Sequence, residues 1–359
     1  MPVGMHSFAL TAPRIGKYKA EILEHAVPCE CLSREGRQVS MPKNQSDTYI
    51  ARRFLPFGAS ATSATTQNTF FPTTTLVDRG NAIVQQHQTQ EGVTPDPESI
   101  VPMDVSVVIQ QYSCLYGFTD KTYNLYEDDI PKEMIKQVGE RVTLVNELLI
   151  FGQLKTCTNQ FFGGTGTTVA TVNGPITLGL IRKIVKSLQA NHAKPVNSML
   201  SASGNYGTSA VSVGYNVYVH TDAEPDLRDL PGFVPTEKYA SGKPMANEVG
   251  TCERFRFFTS PEFVALRDAG AAIGTTNLFS SLGTSIDVYQ FVVVAQNAWS
   301  QISVRGLNSL NPTYLPPGQA SKSDPFGQRG YAGTMWWKAA LVENNGWMAV
   351  GNVGIKNLA

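Results

Sequence analysis

The residues most able to do chemistry lie close together in the segment HTDAEPD, which contains His220, Asp222, Glu224 and Asp226. Carboxylates beside a histidine can perform acid–base catalysis or bind a metal ion. The same residue types also suit the first turn of a helix, where side chains accept hydrogen bonds from free backbone N–H groups. We interpret this segment, called the His220 cluster below, as the start of a short helix, and keep a metal-dependent enzyme as an alternative function.

Cysteine is the second residue type that could form a reactive or metal-binding site. The chain has five cysteines, and Cys29 and Cys31 form the closest pair, in the sequence CEC. A zinc site would need a second pair of Cys or His ligands at suitable spacing, which the sequence lacks. The odd number argues against a disulfide framework. We expect reduced thiols, no metal and no cofactor.

Motifs of common enzyme classes are also missing. The sequence contains neither GxSxG nor HExxH, and the glycine-rich segment 159–175 lacks the GK[ST] of a phosphate-binding loop. We therefore predict that the protein is not an enzyme.

The element around which the chain is organised is a long helix, predicted from Asp129 to Cys157. Pro131 suits its first turn, and apolar residues then recur at helical spacing. Its length would be roughly 40 Å at about 1.5 Å per residue, longer than a typical globular helix. Gly139 interrupts it, at a position where alanine would be about 1 kcal/mol more favourable.

Extended segments precede this helix. Residues 1–47 are polar and interrupted by proline, which predicts an arm that lies across another surface. Residues 48–102 predict a long β excursion, in which the pair Phe70 and Phe71 needs a partner surface.

A more compact part of the chain follows the helix. A second helix is predicted to begin after Thr177, the section 196–319 reads as α/β, and 323–359 predicts a closing hairpin around Asn344–Gly346.

Composition limits the classes of function. The 29 basic and 29 acidic residues cancel, which argues against a DNA-binding module as the main role. The charged fraction of 16% is below the ~25% usual in soluble domains, so much of the surface is expected to contact other subunits. No secretory signal is evident, and no apolar run reaches the ~20 residues that span a bilayer.

Five segments, in their order along the chain, resemble a known family: EGVTP (91–95), LIRKIVKSLQANHAKP (180–195), VYVHTDAEPDLRDLPGF (217–233), EVGTCERFRFFTSP (248–261) and SDPFGQRGYAGTMWWKAALVENNGWMA (323–349). The family is that of the major capsid proteins of tailed phages with the Hong Kong 97 type of fold, and within it the phage N-four-like branch. The resemblance spans roughly residue 10 to the end of the chain.

The resemblance implies an α+β capsid fold in which an extended β loop reaches the neighbouring subunit. The implied parts are an N-terminal arm (1–47), the β excursion as the extended loop (48–102), a peripheral domain with a spine helix at 129–157 (103–195), an axial domain (196–319) and C-terminal strands that return to the peripheral domain (320–359).

The implied function is that of a shell subunit. Copies of the chain would form hexamers and pentamers and then an icosahedral capsid around double-stranded DNA, assembled in the host cytoplasm and retained in the virion. The implied partners are the chain itself, portal, scaffold and decoration proteins, and packaged DNA by weak non-specific contact, with no membrane.

Several residues are candidates for assembly. We predict that Arg52, Arg53, Asp324 and Arg329 make charge contacts within or between subunits, with local turn stabilisation as the alternative. Phe70 and Phe71 are candidate contacts of the excursion. Gly139 is a candidate hinge, because capsid maturation in this fold bends the spine helix and glycine lowers the cost of a bend.

One alternative shares the fold. An encapsulin-like compartment would enclose protein cargo rather than DNA, and the enzyme that uses the His220 cluster is the less favoured second alternative.

Overall fold

The computed structural model describes residues 27–56, 84, 87–89, 91–94, 99–125, 129–197, 211–239, 244–274, 276–305, 312–320, 322 and 324–358. The α-helices in these ranges are α1 (Asp120–Leu125), α2 (Ile130–Leu154), α3 (Leu178–Ala190) and α4 (Glu224–Arg228). The strands are β1 (Arg37–Met41), β2 (Thr48–Phe54), β3 (Pro102–Val108), β4 (Gln110–Thr119), β5 (Gln160–Phe162), β6 (Tyr215–His220), β7 (Val234–Pro235), β8 (Glu248–Cys252), β9 (Phe255–Ser260), β10 (Tyr289–Val294), β11 (Trp299–Val304), β12 (Thr313–Leu315), β13 (Arg329–Val342) and β14 (Met348–Val353). The predicted α+β class is confirmed. Of the helices in the described ranges, none has the length and apolar character needed to cross a membrane.

Helix α2 is the predicted long helix, and its start agrees with the prediction. Asp129 accepts a hydrogen bond from the Lys132 N–H at 3.4 Å, and Pro131 occupies the first turn, where its missing N–H costs little. The helix ends at Leu154, slightly before the predicted Cys157. Side-chain capping and apolar periodicity together explain why this segment is helical.

A five-stranded sheet lies along the long helix, and strand β13 is its central member. Residues 329–338 of β13 pair with β4, and residues 331–333 pair with β12 on the opposite side. The last part of β13, residues 339–342, pairs with β11, which in turn pairs with β1 in parallel. One long strand therefore joins two groups of shorter strands.

The long helix packs first on the five-stranded sheet and then on a second sheet. Val138 and Val142 contact Cys114 of β4 and Trp336 of β13. The last turns of the helix contribute side chains to a cluster that includes residues of β6, β9 and β10: Ile150, Phe151, Leu154, Tyr218, Phe258 and Val292. The helix thus connects the two sheets through its apolar face.

The second sheet has seven strands in the order β5-β14-β10-β6-β9-β8-β7. Helix α3 covers the face opposite to α2, and its start agrees with the prediction, because Thr177 accepts a hydrogen bond from the Leu180 N–H at 3.3 Å. Every residue of β9, β10 and β14 is buried, as expected for strands covered on both faces. The core side chains beneath α3 are Ile181, Ile184, Leu188, Val217, Phe257 and Phe291.

The predicted closing hairpin is wrong. Strands β13 and β14 flank the turn at Asn344–Gly346, yet β13 pairs with β4, β11 and β12 while β14 pairs with β10 and β5. The physical reason is burial: β14 is apolar enough to occupy the interior of the second sheet, which an edge hairpin would leave half exposed. Strand β13 packs along the long helix, and Met348 and Val350 of β14 join the cluster at the end of that helix, so the return of the section 320–359 to the peripheral domain stays a prediction.

Strands β2 and β3 form a separate two-stranded ribbon at the base of the predicted excursion. Their antiparallel register runs from Thr48 opposite Val108 to Phe54 opposite Pro102. The inner face of the ribbon packs against β1, β11 and β13. Residues 57–83, which include Phe70 and Phe71, lie outside the described residues.

Candidate assembly surfaces

The outer face of the ribbon is an exposed surface with large apolar residues. Ile50 and Phe54 are 60% and 67% exposed, and Val108 is exposed on the neighbouring strand. The alternation of strand residues places these side chains on the face opposite to the packed one. We call this the ribbon face. Apolar groups of this size on a weakly charged surface favour contact with another protein.

Arg52 lies in the middle of the ribbon face and is paired within the subunit. Its guanidinium donates two hydrogen bonds to the Asp104 carboxylate, at 2.7 Å and 2.8 Å. These bonds raise the pKa of Arg52 and lower the pKa of Asp104. Because both groups are exposed, the pair contributes little to stability, and a contact of Arg52 with a neighbouring subunit stays a prediction.

Arg53 points to the opposite side of the ribbon, as the alternation of the strand requires. Burial lowers the pKa of its guanidinium, and the nearby charge of Glu343 acts against that shift. Glu343 also lies 3.5 Å from the Arg37 guanidinium. Arg53 is therefore part of a charged group inside the subunit, and a contact with a neighbouring subunit stays a prediction.

Asp324 and Arg329 lie at the turn that leads into β13. The Asp324 carboxylate accepts a hydrogen bond from the backbone N–H of Arg329 at 2.9 Å, so Asp324 stabilises the turn locally. The Arg329 side chain is exposed. Phe326, between them, is 84% exposed. The turn therefore combines an exposed cation with an exposed apolar side chain, which suits an assembly contact.

Gly139 lies on the exposed side of α2, and the helix continues through it without interruption. A Cβ at this position would meet no other atom within 4 Å. The Thr143 hydroxyl donates a hydrogen bond to the Gly139 carbonyl at 3.3 Å, an interaction that often bends helices slightly. The hinge stays a prediction, and a second open glycine, Gly152, lies in the same helix.

The His220 cluster begins a helical turn, as predicted, but its capping residue differs from the expected one. The His220 Nδ1 atom accepts a hydrogen bond from the Asp222 N–H at 3.0 Å, so the histidine itself caps the turn. The Tyr289 hydroxyl donates to the Asp222 carboxylate at 3.0 Å, and burial and this bond raise the pKa of Tyr289. Glu224 pairs with Arg228 at 2.8 Å.

The last carboxylate of the cluster, Asp226, is buried and accepts a hydrogen bond from the Lys356 N–H at 3.0 Å. Each acidic group therefore has its own structural partner. Within the ranges that the structure describes, no group of three or more His, Cys, Asp or Glu residues is placed to hold a metal ion. This geometry favours the capping interpretation over the catalytic one.

A buried site that the sequence analysis missed lies on the long helix. Glu147 is 0% exposed, and its carboxylate accepts hydrogen bonds from the backbone N–H groups of Cys31, Leu32 and Ser33 at 3.1 Å, 3.0 Å and 2.7 Å. Residues 29–36, called the arm root below, lie within the predicted arm (1–47) and lead into β1. The available signal was position: Glu147 lies three residues before Ile150, on the apolar face, where a charge needs a partner.

The carbonyl groups of the arm root are held from the opposite side. The side-chain amide of Gln301, on β11, donates hydrogen bonds to the carbonyls of Leu32 at 3.2 Å, Ser33 at 3.1 Å and Glu35. The Lys338 ammonium, on β13, donates to the Gln301 side-chain oxygen at 2.5 Å. Backbone donors and acceptors of one short segment are thus satisfied by two different elements, α2 and β11, and β13 supports the second through Lys338.

The arm root also contacts the seven-stranded sheet. The Asn216 amide donates to the Glu35 carboxylate at 2.9 Å, and the Asn247 amide donates to the Cys31 sulfur at 3.1 Å. Burial raises the pKa of the Cys31 thiol to about 11. Gly36 ends the segment with a φ of +81°, and a side chain there would strike the Trp299 ring.

The fold combines a long helix packed across one sheet, a second sheet buried on both faces and an extended ribbon beside them. This combination is the Hong Kong 97-type fold of phage capsid subunits. The chain is similar to a chain of the capsid of Ralstonia phage GP4, with 11% identity, a TM-score of 0.64 and coverage of 98% of both chains. It is also similar to a chain of the cyanophage Pam1 capsid, with 11% identity, a TM-score of 0.56 and coverage of 98% of this chain and 100% of that one.

Sequence comparison gives a consistent result. The major capsid protein of Pseudomonas phage KPP21 is 20% identical, over 67% of this chain and 65% of that protein, so the match spans about two thirds of the curated relative. No protein family model matches the chain. The predicted resemblance to tailed-phage capsid proteins is confirmed, and its N-four-like branch stays a prediction.

Proposed function

We propose that this chain is the major capsid protein of a tailed phage. Copies of it form hexamers and pentamers that close into an icosahedral shell around double-stranded DNA. The observation that carries this proposal is the agreement of the fold with the GP4 capsid chain over 98% of both chains, together with the similarity to a phage major capsid protein in sequence. The shell is assembled in the host cytoplasm, and portal, scaffold and decoration proteins are its further partners.

Each part of the subunit has a place in this proposal. Residues 29–41 of the predicted arm (1–47) pack within the subunit, so the part of the arm before them reaches a neighbour, and the excursion (48–102) overlaps the adjacent subunit through the ribbon face. The peripheral domain (103–195) contains β4, α2 and α3, the axial domain (196–319) contains β6 to β12, and the C-terminal strands (320–359) return to the peripheral domain. A net charge of zero suits a shell wall that contacts DNA only weakly, because a strongly basic lining would bind phosphates tightly.

The alternatives fit less well. An encapsulin-like compartment shares the fold, but the curated relative is a phage capsid protein. A metal-dependent enzyme would need free carboxylates at the His220 cluster, and those side chains are engaged in caps and ion pairs.

The direct test is to express the full chain and separate it by size-exclusion chromatography, followed by negative-stain microscopy. We expect rings of capsomer size or closed shells, with nuclease-protected DNA in shells from infected cells. A small, uniform oligomer that contains a stoichiometric metal ion would contradict the proposal and support the enzyme.

Arg329→Glu tests the turn before β13. Because Asp324 holds the backbone N–H and not the side chain of Arg329, the turn and the fold should survive the charge reversal. We expect soluble subunits with a shell yield reduced at least about tenfold, since like charges at an interface cost several kcal/mol. Particles are counted by microscopy, with Lys186→Glu on the exposed side of α3 as the control. A normal yield for Arg329→Glu would remove this residue from the interface.

Gly139→Ala tests the hinge. The added methyl group meets no neighbour, so the helix should gain about 1 kcal/mol and become stiffer. We expect a higher melting temperature of the subunit and slower expansion of immature particles, followed by time-resolved light scattering. Gly152→Ala is the matched control, because it stabilises the same helix away from the proposed bend. Equal expansion rates in wild type and both variants would show that Gly139 is not a hinge.

A further inference from the structure

We propose that Glu147 is a positioning residue for shell assembly: it fixes the arm root to the long helix and so sets where and in which direction the arm leaves the subunit. This inference rests on the proposed function and assigns a particular residue to one step of it.

The first support is the bonding of the Glu147 carboxylate. A fully buried carboxylate is costly unless it is hydrogen-bonded, and here three backbone N–H groups of consecutive residues, Cys31–Ser33, donate to it. Hydrogen bonds to a charged acceptor are about twice as strong as neutral ones. Release of the arm root would leave this charge buried without donors, so the root stays bound while the fold is intact.

The second support is that the arm root is held from two sides. The contacts that Glu147 and Gln301 make with it are called the clamp below. Gln301 holds the carbonyl groups of the same backbone segment, and Lys338 holds Gln301. Burial lowers the pKa of Lys338, while the negative charges of Glu147 and Glu30 act in the opposite direction. The backbone of the arm root is therefore fixed in rotation as well as in position.

The third support is the location of the clamp. Glu147 belongs to the long helix, Gln301 and Lys338 to the five-stranded sheet, and Asn216 and Asn247 to the seven-stranded sheet or its edge. A shift of the helix relative to either sheet must change the arm root. Any displacement of the arm root is passed along the chain to the residues that precede it. Movement of the long helix is thereby transmitted to the contact that the arm makes with a neighbour.

The test compares Glu147→Gln with Glu140→Gln, a half-buried carboxylate seven residues, or about 10 Å, earlier on the same helix. In Glu147→Gln we expect the Cys31–Ser33 amides to exchange hydrogen at least about tenfold faster, and trypsin to cleave after the exposed Arg34 and Arg37 at least about tenfold faster. Shell yield should fall to a similar degree. Glu140→Gln should match the wild type in all three measurements.

The outcomes separate this inference from the proposed function. If the wild type forms shells and Glu147→Gln forms them with equal yield and equal cleavage, the inference is overturned and the capsid function stands. If the wild type forms no shells under any condition, the proposed function fails. Should Glu147→Gln be insoluble, hydrogen exchange of wild-type subunits decides: protected Cys31–Ser33 amides support the clamp, and exchange at the rate of an unstructured chain contradicts it.

Discussion

Gly351→Ala is expected to destabilise the subunit strongly. Gly351 lies in β14 directly opposite Phe291 of β10, and a Cβ there would come within 2.1–2.7 Å of three atoms of the Phe291 ring. Phe291 is fully buried beneath α3, so the ring has no space to move. Overpacking of this kind costs up to about 3 kcal/mol or more, a large share of the 5–15 kcal/mol that stabilises a typical domain.

The measurement is thermal and urea unfolding of purified subunits, with the soluble fraction on expression as a first readout. Gly179→Ala in α3 is the control, because its Cβ would meet only the Thr177 hydroxyl at 4.0 Å. Phe291→Leu should recover part of the stability of Gly351→Ala by removing the ring, which a double-mutant cycle measures. A Gly351→Ala subunit as stable as the wild type would show that β14 adapts, contrary to the packing described here.

Phe54→Asp is expected to abolish shell assembly while leaving the subunit folded. The side chain is 67% exposed, so its loss removes little intramolecular packing. In a shell the same side chain would be covered by the adjacent subunit, and full burial of a phenylalanine contributes about 1.5–3 kcal/mol. An aspartate in that place would lose this gain and bury an unpaired charge. Because each subunit repeats the contact, the effect is multiplied over the shell.

Sedimentation and negative-stain microscopy measure the result, and circular dichroism reports the fold. Leu282→Asp is matched in exposure, at 70%, and lies in a loop of the other part of the subunit. We expect at least a hundredfold loss of particles for Phe54→Asp and a much smaller loss for Leu282→Asp. Wild-type yield from Phe54→Asp would exclude the ribbon face as an assembly surface.

Much of the local structure follows from short-range physical chemistry and was predictable. The long helix has an acidic cap at Asp129, a proline in its first turn and an apolar stripe, and all three signals are local. Thr177 marked the start of α3 in the same way. The strand character of β6, β9 and β10 also followed from their apolar and aromatic residues.

The errors and omissions concern contacts between residues far apart in the chain. The turn at Asn344–Gly346 has the composition of a hairpin, but which strands pair depends on the space between β10 and β5, and the turn carries no information about that space. Glu147 lies 114–116 residues from the amides that it binds. A sequence pattern can show a charge on an apolar face, but it cannot identify the donor.

The long strand β13 has a mechanical consequence. Its residues Arg329 to Lys338 form an unbroken ladder with β4, and its end continues into the pairing with β11. A force along the strand axis acts on all the hydrogen bonds between β13 and β4 at once, in shear. A force across the strands would instead break these hydrogen bonds one after another. A wall under outward pressure from packed DNA is stretched in its own plane. If β13 lies in that plane, the subunit meets the tension along its strongest direction, and the long helix packed on β13 supports the strand.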